Sequence, residues 1–196
     1  MTDRIATPSQ AGHAAAEEKA QLMSASEIDR TLVRLAHEIL ERNNGVENLV
    51  LVGIERRGLP LAQRLAQTIG EIESVELPVG TLDITLYRDD VSNPGSRPGA
   101  DAVPARFSVD GKKVILVDDV LYTGRTTRAA MEALLAFGRP RRVELCVLID
   151  RGHRELPILA NYVGRTLQIS ETEVIDVRLR EVDGEDRVVL CEQPGH

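Results

Sequence analysis

Between Val114 and Ala130 the chain reads VILVDDVLYTGRTTRAA, and this order of residue types leaves few folds open. Four consecutive apolar residues make a strand buried on both faces, as central strands of a parallel sheet are. Two carboxylates, Asp118 and Asp119, stand at its carboxyl end, and a short loop rich in threonine and glycine leads straight into a helix. Such a loop can present several backbone N–H groups to one phosphate, the helix dipole favours the negative charge, and Gly124 lets the main chain come close. Thr123, Thr126 and Thr127 add hydroxyl donors. The glycine spacings of the dinucleotide fingerprint and of the ATP-type phosphate loop are both absent, so a different phosphate is implied.

Carboxylates repel phosphate. Asp118 and Asp119 suit a place beside one only if they accept hydrogen bonds from hydroxyls or reach a bound cation, and a ribose 5-phosphate meets both conditions. A capped strand-to-helix turn with an incidental acidic pair is the plain structural alternative.

The flanking segments predict strands alternating with helices. Ser24 with Glu27 three residues on matches a capping box, and Ile28, Leu32, Leu35 and Ile39 recur at helical spacing until Asn43, Asn44 and Gly45 end the helix. Leu49 to Ile54 reads as a buried strand, Glu55 to Gly58 as a turn, and Pro60 with Leu61, Leu65 and Ile69 as a second helix. Val75 to Tyr87 carries one or two β segments, and Ser92 to Pro104, with three prolines and two glycines, is the candidate mobile loop. Thr126 to Phe137 is a helix closed by Gly138 and Pro140, and Val143 to Ile149 another buried strand. This alternation predicts an α/β fold with a mainly parallel sheet covered on both faces and ligands at the carboxyl ends of the strands.

Residues 1 to 22 lack apolar periodicity and read as a disordered leader, 23 to 190 as one domain, and 191 to 196 as a tail. No apolar run is long enough to span a bilayer and the start does not read as a secretory signal, so a cytoplasmic location is expected. Cys146 and Cys191 lack metal-ligand spacing and read as structural. A net charge of −7 argues against indiscriminate wrapping of nucleic acid, and 3% aromatic residues leave no broad stacking platform for single-stranded RNA. Arg30, Arg34 and His37 nonetheless form a basic ridge opposite the apolar stripe of the first helix. Arg139, Arg141 and Arg142 form a second basic cluster. RNA phosphates and plain solvation both suit these patches.

VILVDDVLYTGRT resembles the phosphoribosyl pyrophosphate (PRPP) signature of type I phosphoribosyltransferases. The wider match, through LVGIERRG, DITLYRDD, GRP and DRGHRELP, is to the bifunctional pyrimidine operon regulators with uracil phosphoribosyltransferase activity, from about Met23 to about Leu190. The strings at 83 to 90 and 150 to 157 separate that family from its purine-using relatives. The resemblance implies the type I fold, a twisted sheet with a small hood from about residue 150 onward. Asp118 and Asp119 would hold the ribose hydroxyls and, with Asp150, reach Mg2+; Leu121, Tyr122, Thr123, Gly124, Arg125, Thr126 and Thr127 would cradle PRPP. Arg56 and Arg57 would bind pyrophosphate; Arg88 is a further catalytic candidate, with an ion pair to Asp89 or Asp90 as its alternative. Arg151, Gly152 and His153 would recognise the base, although a lone histidine is also a common structural hydrogen-bonder.

The implied reaction joins uracil to PRPP, giving UMP and pyrophosphate, with the loop at 92 to 104 closing over the site. The resemblance also implies binding of the messenger RNA leader of pyrimidine genes under control of UMP or UTP, through Arg34, His37, Arg42, Arg154 and Arg165, in a homodimer or larger assembly. Leu159, where an arginine is usual, and TLQIS at 166 to 170 depart from the pattern and bear on RNA binding more than on catalysis. A nucleotide-sensing regulator with little catalysis is the alternative.

Overall fold

The structure, a computed structural model, describes residues 17–84 and 108–192. Arg88 and the loop at 92 to 104 lie outside the described residues, as do residues 1–16 and 193–196. The elements run β1 (Glu18–Ser24), α1 (Ala25–Asn43), β2 (Leu49–Ile54), α2 (Gly58–Glu73), β3 (Val79–Leu82), β4 (Lys113–Leu121), α3 (Arg125–Ala136), β5 (Arg142–Asp150), β6 (Tyr162–Thr166), β7 (Glu173–Arg178), α4 (Arg180–Asp183) and β8 (Arg187–Glu192).

Five strands form a parallel sheet in the order β3-β2-β4-β5-β6. Its central strands alternate between two apolar layers, as strand geometry demands. Leu49, Leu51, Ile115, Val117, Cys146 and Leu148 face α1 and α2. Val50, Val52, Val114, Leu116, Leu145 and Val147 meet Ala129, Ala130, Ala133 and Leu134 of α3 on the other side. Burial pushes the Cys146 thiol up to about 12, which makes it inert and agrees with a structural role. The capping box at Ser24 forms: its backbone N–H donates to the Glu27 carboxylate at 2.8 Å and its hydroxyl at 2.7 Å. Asn44 takes a left-handed conformation and ends α1 where Asn43, Asn44 and Gly45 predict.

The hood is a three-stranded antiparallel sheet, β1-β8-β7, and it corrects the expected boundaries. Residues 18 to 22, expected in a disordered leader, pair with β8, and residues 191 and 192, expected in a tail, complete that strand. Backbone pairing holds β1, since Glu18, Lys19, Ala20 and Gln21 are all exposed and leave no apolar pattern to read. The hood attaches through Met23, Ile175, Val177, Leu179 and Val188, which join the α1 and α2 side of the core. Each such side chain contributes about 2 kcal/mol. The exposed Arg187–Glu18 and Arg178–Glu185 pairs contribute roughly 0–1 kcal/mol each, so apolar contact holds the hood.

One polar cluster is built into the α1, β5 and β6 junction. Tyr162, fully buried, donates its hydroxyl to Glu144 at 2.9 Å and accepts from Asn43 Nδ2 at 3.0 Å, while Arg42 lies over its ring. Tyr162→Phe should cost about 1–2 kcal/mol in chemical denaturation, because it leaves buried partners short of a hydrogen bond, and should leave catalysis unchanged. A loss below about 0.3 kcal/mol would show that Asn43 and Glu144 satisfy one another.

Candidate active site

Parallel strands bring their carboxyl ends to one edge, and three loops meet there: residues 55–57 after β2, 122–124 after β4 and 151–157 after β5. Two glycines make the first meeting possible. A Cβ on Gly53 would sit 2.4 Å from Leu59 Cα, and one on Gly58 would sit 2.3 Å from the Val117 carbonyl oxygen, so the turn and the start of α2 lie directly against β4 beside Asp118. The Glu55–Arg56 peptide within this turn is cis.

Asp118 is 6% exposed and Asp119 half-buried. One oxygen of each carboxylate accepts a backbone N–H, from Asp119 at 3.0 Å and from Val120 at 2.8 Å. Burial first, and repulsion from Asp119 second, pushes Asp118 well above the usual carboxylate range; burial also raises Asp119. The nearby Arg57 charge opposes the rise at Asp119, but its guanidinium is bound by Asp183 of α4, Nε at 3.1 Å and Nη2 at 2.9 Å. The acidic pair is therefore short of positive charge, and hydroxyl donors or a cation would relieve it.

Beyond the pair, Gly124 takes φ +92 and serves as N-cap of α3 with no side-chain cap bond, and no acidic residue stands in the first turn. The Arg125 N–H donates to Thr123 Oγ1 at 3.3 Å, and with no acidic side chain in the first turn the helix N-terminus can receive an anion. Thr123 is pinned by the loop after β5: its carbonyl accepts the N–H groups of Glu155 and Leu156 at 3.0 and 3.1 Å. Arg125 pairs with Glu155 at 2.6 Å. Thr127 is buried and Thr126 half-buried, whereas Leu121 is a core residue. The Tyr122 ring lies against Arg151.

The residues after β5 behave differently from one another. Arg151 is buried, and its Nη2 donates to the Ser170 carbonyl at 3.3 Å. His153 donates from Nε2 to the Ile169 carbonyl at 3.0 Å, the structural hydrogen bond that its solitary place allows. Asp150 accepts Arg154 Nη2 at 2.6 Å on one oxygen and the Gly152 N–H at 2.9 Å on the other, so it shapes its own turn. Arg154 spends its remaining donors on the carbonyls of Tyr122, Gly152 and Ile158, which removes it from the basic surface expected for RNA.

The other basic residues gather elsewhere. Arg34 donates to the Val163 and Gly164 carbonyls at 2.9 and 2.7 Å, Arg42 to Asn161 at 2.9 Å, and Arg165 to Leu22 at 2.6 Å, all with exposed side chains. A shallow cavity of about 330 Å³ lies between Arg30, Arg34 and Arg165. Exposed His37 shares the outer face of α1. Asp183 and Glu155, the partners of Arg57 and Arg125, escaped sequence reasoning because 126 and 30 residues separate each pair. No local spacing signals them.

A parallel sheet with a buried acidic pair and a threonine- and glycine-rich strand-to-helix loop at its carboxyl edge fits a phosphoribosyltransferase. The phosphoribosyl transferase domain family matches residues 21–181, and the chain belongs to that family. It is 58% identical over 177 residues to the Bifunctional protein PyrR of Thermus thermophilus, covering 90% of this chain and 98% of that protein. It is 53% identical over 175 residues to the Bifunctional protein PyrR of Clostridioides difficile, covering 89% and 99%. Within the family it is thus a member of the PyrR group. Among solved structures, a hypoxanthine phosphoribosyltransferase from Staphylococcus aureus superposes with a TM-score of 0.67 at 21% identity, covering 91% of this chain and 92% of that one, which bears out the fold. That of Trypanosoma cruzi superposes with 0.67 at 17% identity, covering 90% and 98%.

Proposed function

We propose that the chain transfers phosphoribosyl from PRPP to uracil, giving UMP and pyrophosphate, and acts in the cytoplasm as a uridine-nucleotide-dependent regulator that binds leader RNA of pyrimidine genes. The observation that carries the catalytic half is the buried Asp118 and Asp119 pair, starved of positive charge and followed by an α3 N-terminus with no acidic residue in its first turn. Such a pair accepts the two ribose hydroxyls while the loop of Thr123, Gly124, Thr126 and Thr127 takes the 5-phosphate. Exposed Arg56 meets the pyrophosphate, and Arg57 joins it on release from Asp183. The chain's work is orientation of the anomeric carbon and stabilisation of the leaving charge.

Mg2+ suits this donor set. Among the described residues no cluster of three or more metal-binding side chains exists, and Mg2+ in phosphoryl sites takes one or two carboxylates plus substrate oxygens and water. When bound with PRPP it would neutralise the pyrophosphate. Asp118 and Asp119 would hold it. Among the described residues no helix is long and apolar enough to cross a membrane. A homodimer or larger assembly belongs to the proposal on family resemblance.

Conversion of uracil, PRPP and Mg2+ to UMP, with hypoxanthine, guanine and orotate as competing acceptors, tests the catalytic half. Uracil-specific product supports it; no product from any base favours a nucleotide-sensing regulator. For the RNA half, exposed Arg34 and His37 with Arg42 and Arg165 supply phosphate contacts. Replacing both Arg34 and His37 by Ala should weaken binding of a pyrimidine-gene leader RNA about tenfold or more in the presence of UMP, flatten its salt dependence and spare UMP formation. Equal affinity would remove α1 from the interface.

A further inference from the structure

Leu121 and Asp150 are register partners at the ends of β4 and β5, so the next residue on each strand, Tyr122 and Arg151, leaves the sheet beside the other. The guanidinium carbon of Arg151 lies 3.9 Å from the centroid of the Tyr122 ring, well inside the roughly 6 Å reach of a cation–π contact. Arg151 is 5% exposed. Its Nη2 makes a long bond to Ser170, and its Nε is buried with no hydrogen-bond partner among the described residues. Arg64, whose Nη1 is likewise buried and unpartnered, is neutralised by Glu181 and Asp186, but the ion pairs of the described residues include none to Arg151. A buried, unpaired N–H beside a substrate site calls for an acceptor from outside the chain.

We infer that Tyr122 is a positioning residue for base recognition: its ring fixes the plane of the Arg151 guanidinium, and the unpartnered Nε–H then donates to a carbonyl oxygen of a planar pyrimidine. The aromatic face is the element that matters, since the Tyr122 ring is the surface on which the guanidinium lies. Because Tyr122 directly precedes Thr123, one short loop sets both the phosphate cradle and the base-recognition arginine. This role rests on the proposed transfer to uracil.

Steady-state kinetics of Tyr122→Leu and Tyr122→Phe, with uracil and PRPP varied separately, tests the role. Loss of the ring should raise the uracil KM about tenfold, the size of one cation–π contact, and should raise it well beyond any change in the PRPP KM, with the melting temperature close to wild type. Tyr122→Phe should restore the uracil KM, because it keeps the ring. An unchanged uracil KM in Tyr122→Leu, an equal rise in the PRPP KM, or failure of Phe to restore the uracil KM would each overturn the role. A wild-type protein that makes no UMP overturns the proposed reaction itself, whereas UMP formation with a Tyr122-independent uracil KM overturns only this inference.

Discussion

In Asp118→Asn, UMP formation from uracil and PRPP should fall at least about 100-fold while the unliganded protein becomes more stable than wild type. The two effects have one cause. Asp118 is almost fully buried next to Asp119; burial raises the pKa of both carboxylates, and repulsion from Asp119 raises that of Asp118 further. An acid whose folded pKa is raised binds its proton more tightly in the native state than in the unfolded chain. Its contribution to stability is complete below the unfolded value of about 3.9 and is lost as pH rises through the raised folded value. At neutral pH wild type therefore carries an electrostatic penalty that the isosteric amide lacks.

Asn still accepts the Asp119 N–H that Asp118 holds at 3.0 Å, so the fold keeps its local hydrogen bond. The amide carries no negative charge, and it is a weaker acceptor for ribose hydroxyls and a weak ligand for a cation. Melting temperatures of both proteins across pH 4 to 8 check the stability half, with the Asn variant pulling ahead by several degrees as pH rises, about 1–3 kcal/mol. Added PRPP with Mg2+ should reverse the order, since only wild type gains the full binding energy. Product formed at the wild-type rate would remove Asp118 from the chemistry, and a stability gap that does not change with pH would remove the carboxylate repulsion.

How far the sequence leads depends on where the information lies. Ile28, Leu32, Leu35 and Ile39 announce α1 because all four enter one core, and VILV announces β4 because both faces of that strand are covered. The acidic pair and Gly124 were legible for a related reason: their chemistry is contained in one continuous segment. The hood was not. In β1 only Met23 is fully buried, and the strand exists because its backbone pairs with β8, more than 160 residues away, an interaction to which side-chain pattern is blind. Arg57 taught the same lesson at the site. A pair of adjacent arginines in a strand-to-helix turn suits an anion, but Asp183 already binds the second of them, and only folding brings that carboxylate within 2.9 Å. Asp150 and Arg154, expected at a metal and on an RNA surface, bind each other, as residues four apart around a tight turn can.

Gly58→Ala should cost about 3 kcal/mol and lower the melting temperature by roughly 6–12 °C. The added Cβ would lie 2.3 Å from the Val117 carbonyl oxygen and 3.4 Å from Asp118 Cα. The first distance is far below contact, and the obstacle is backbone of the central strand, which has no rotamer by which to yield. Either α2 or β4 must move. α2 follows the turn with Arg56 and Arg57, and β4 carries Asp118, so any relaxation separates the turn proposed to bind pyrophosphate from the acidic pair. The PRPP KM should therefore rise together with the loss of stability. Arg56→Ala separates the two causes: Arg56 is exposed, so its removal should raise the PRPP KM about tenfold and leave the melting temperature within about 2 °C of wild type. If Gly58→Ala melts like wild type, the turn is free to move away from β4, and the close approach of the two strands' loops is not what holds the site together.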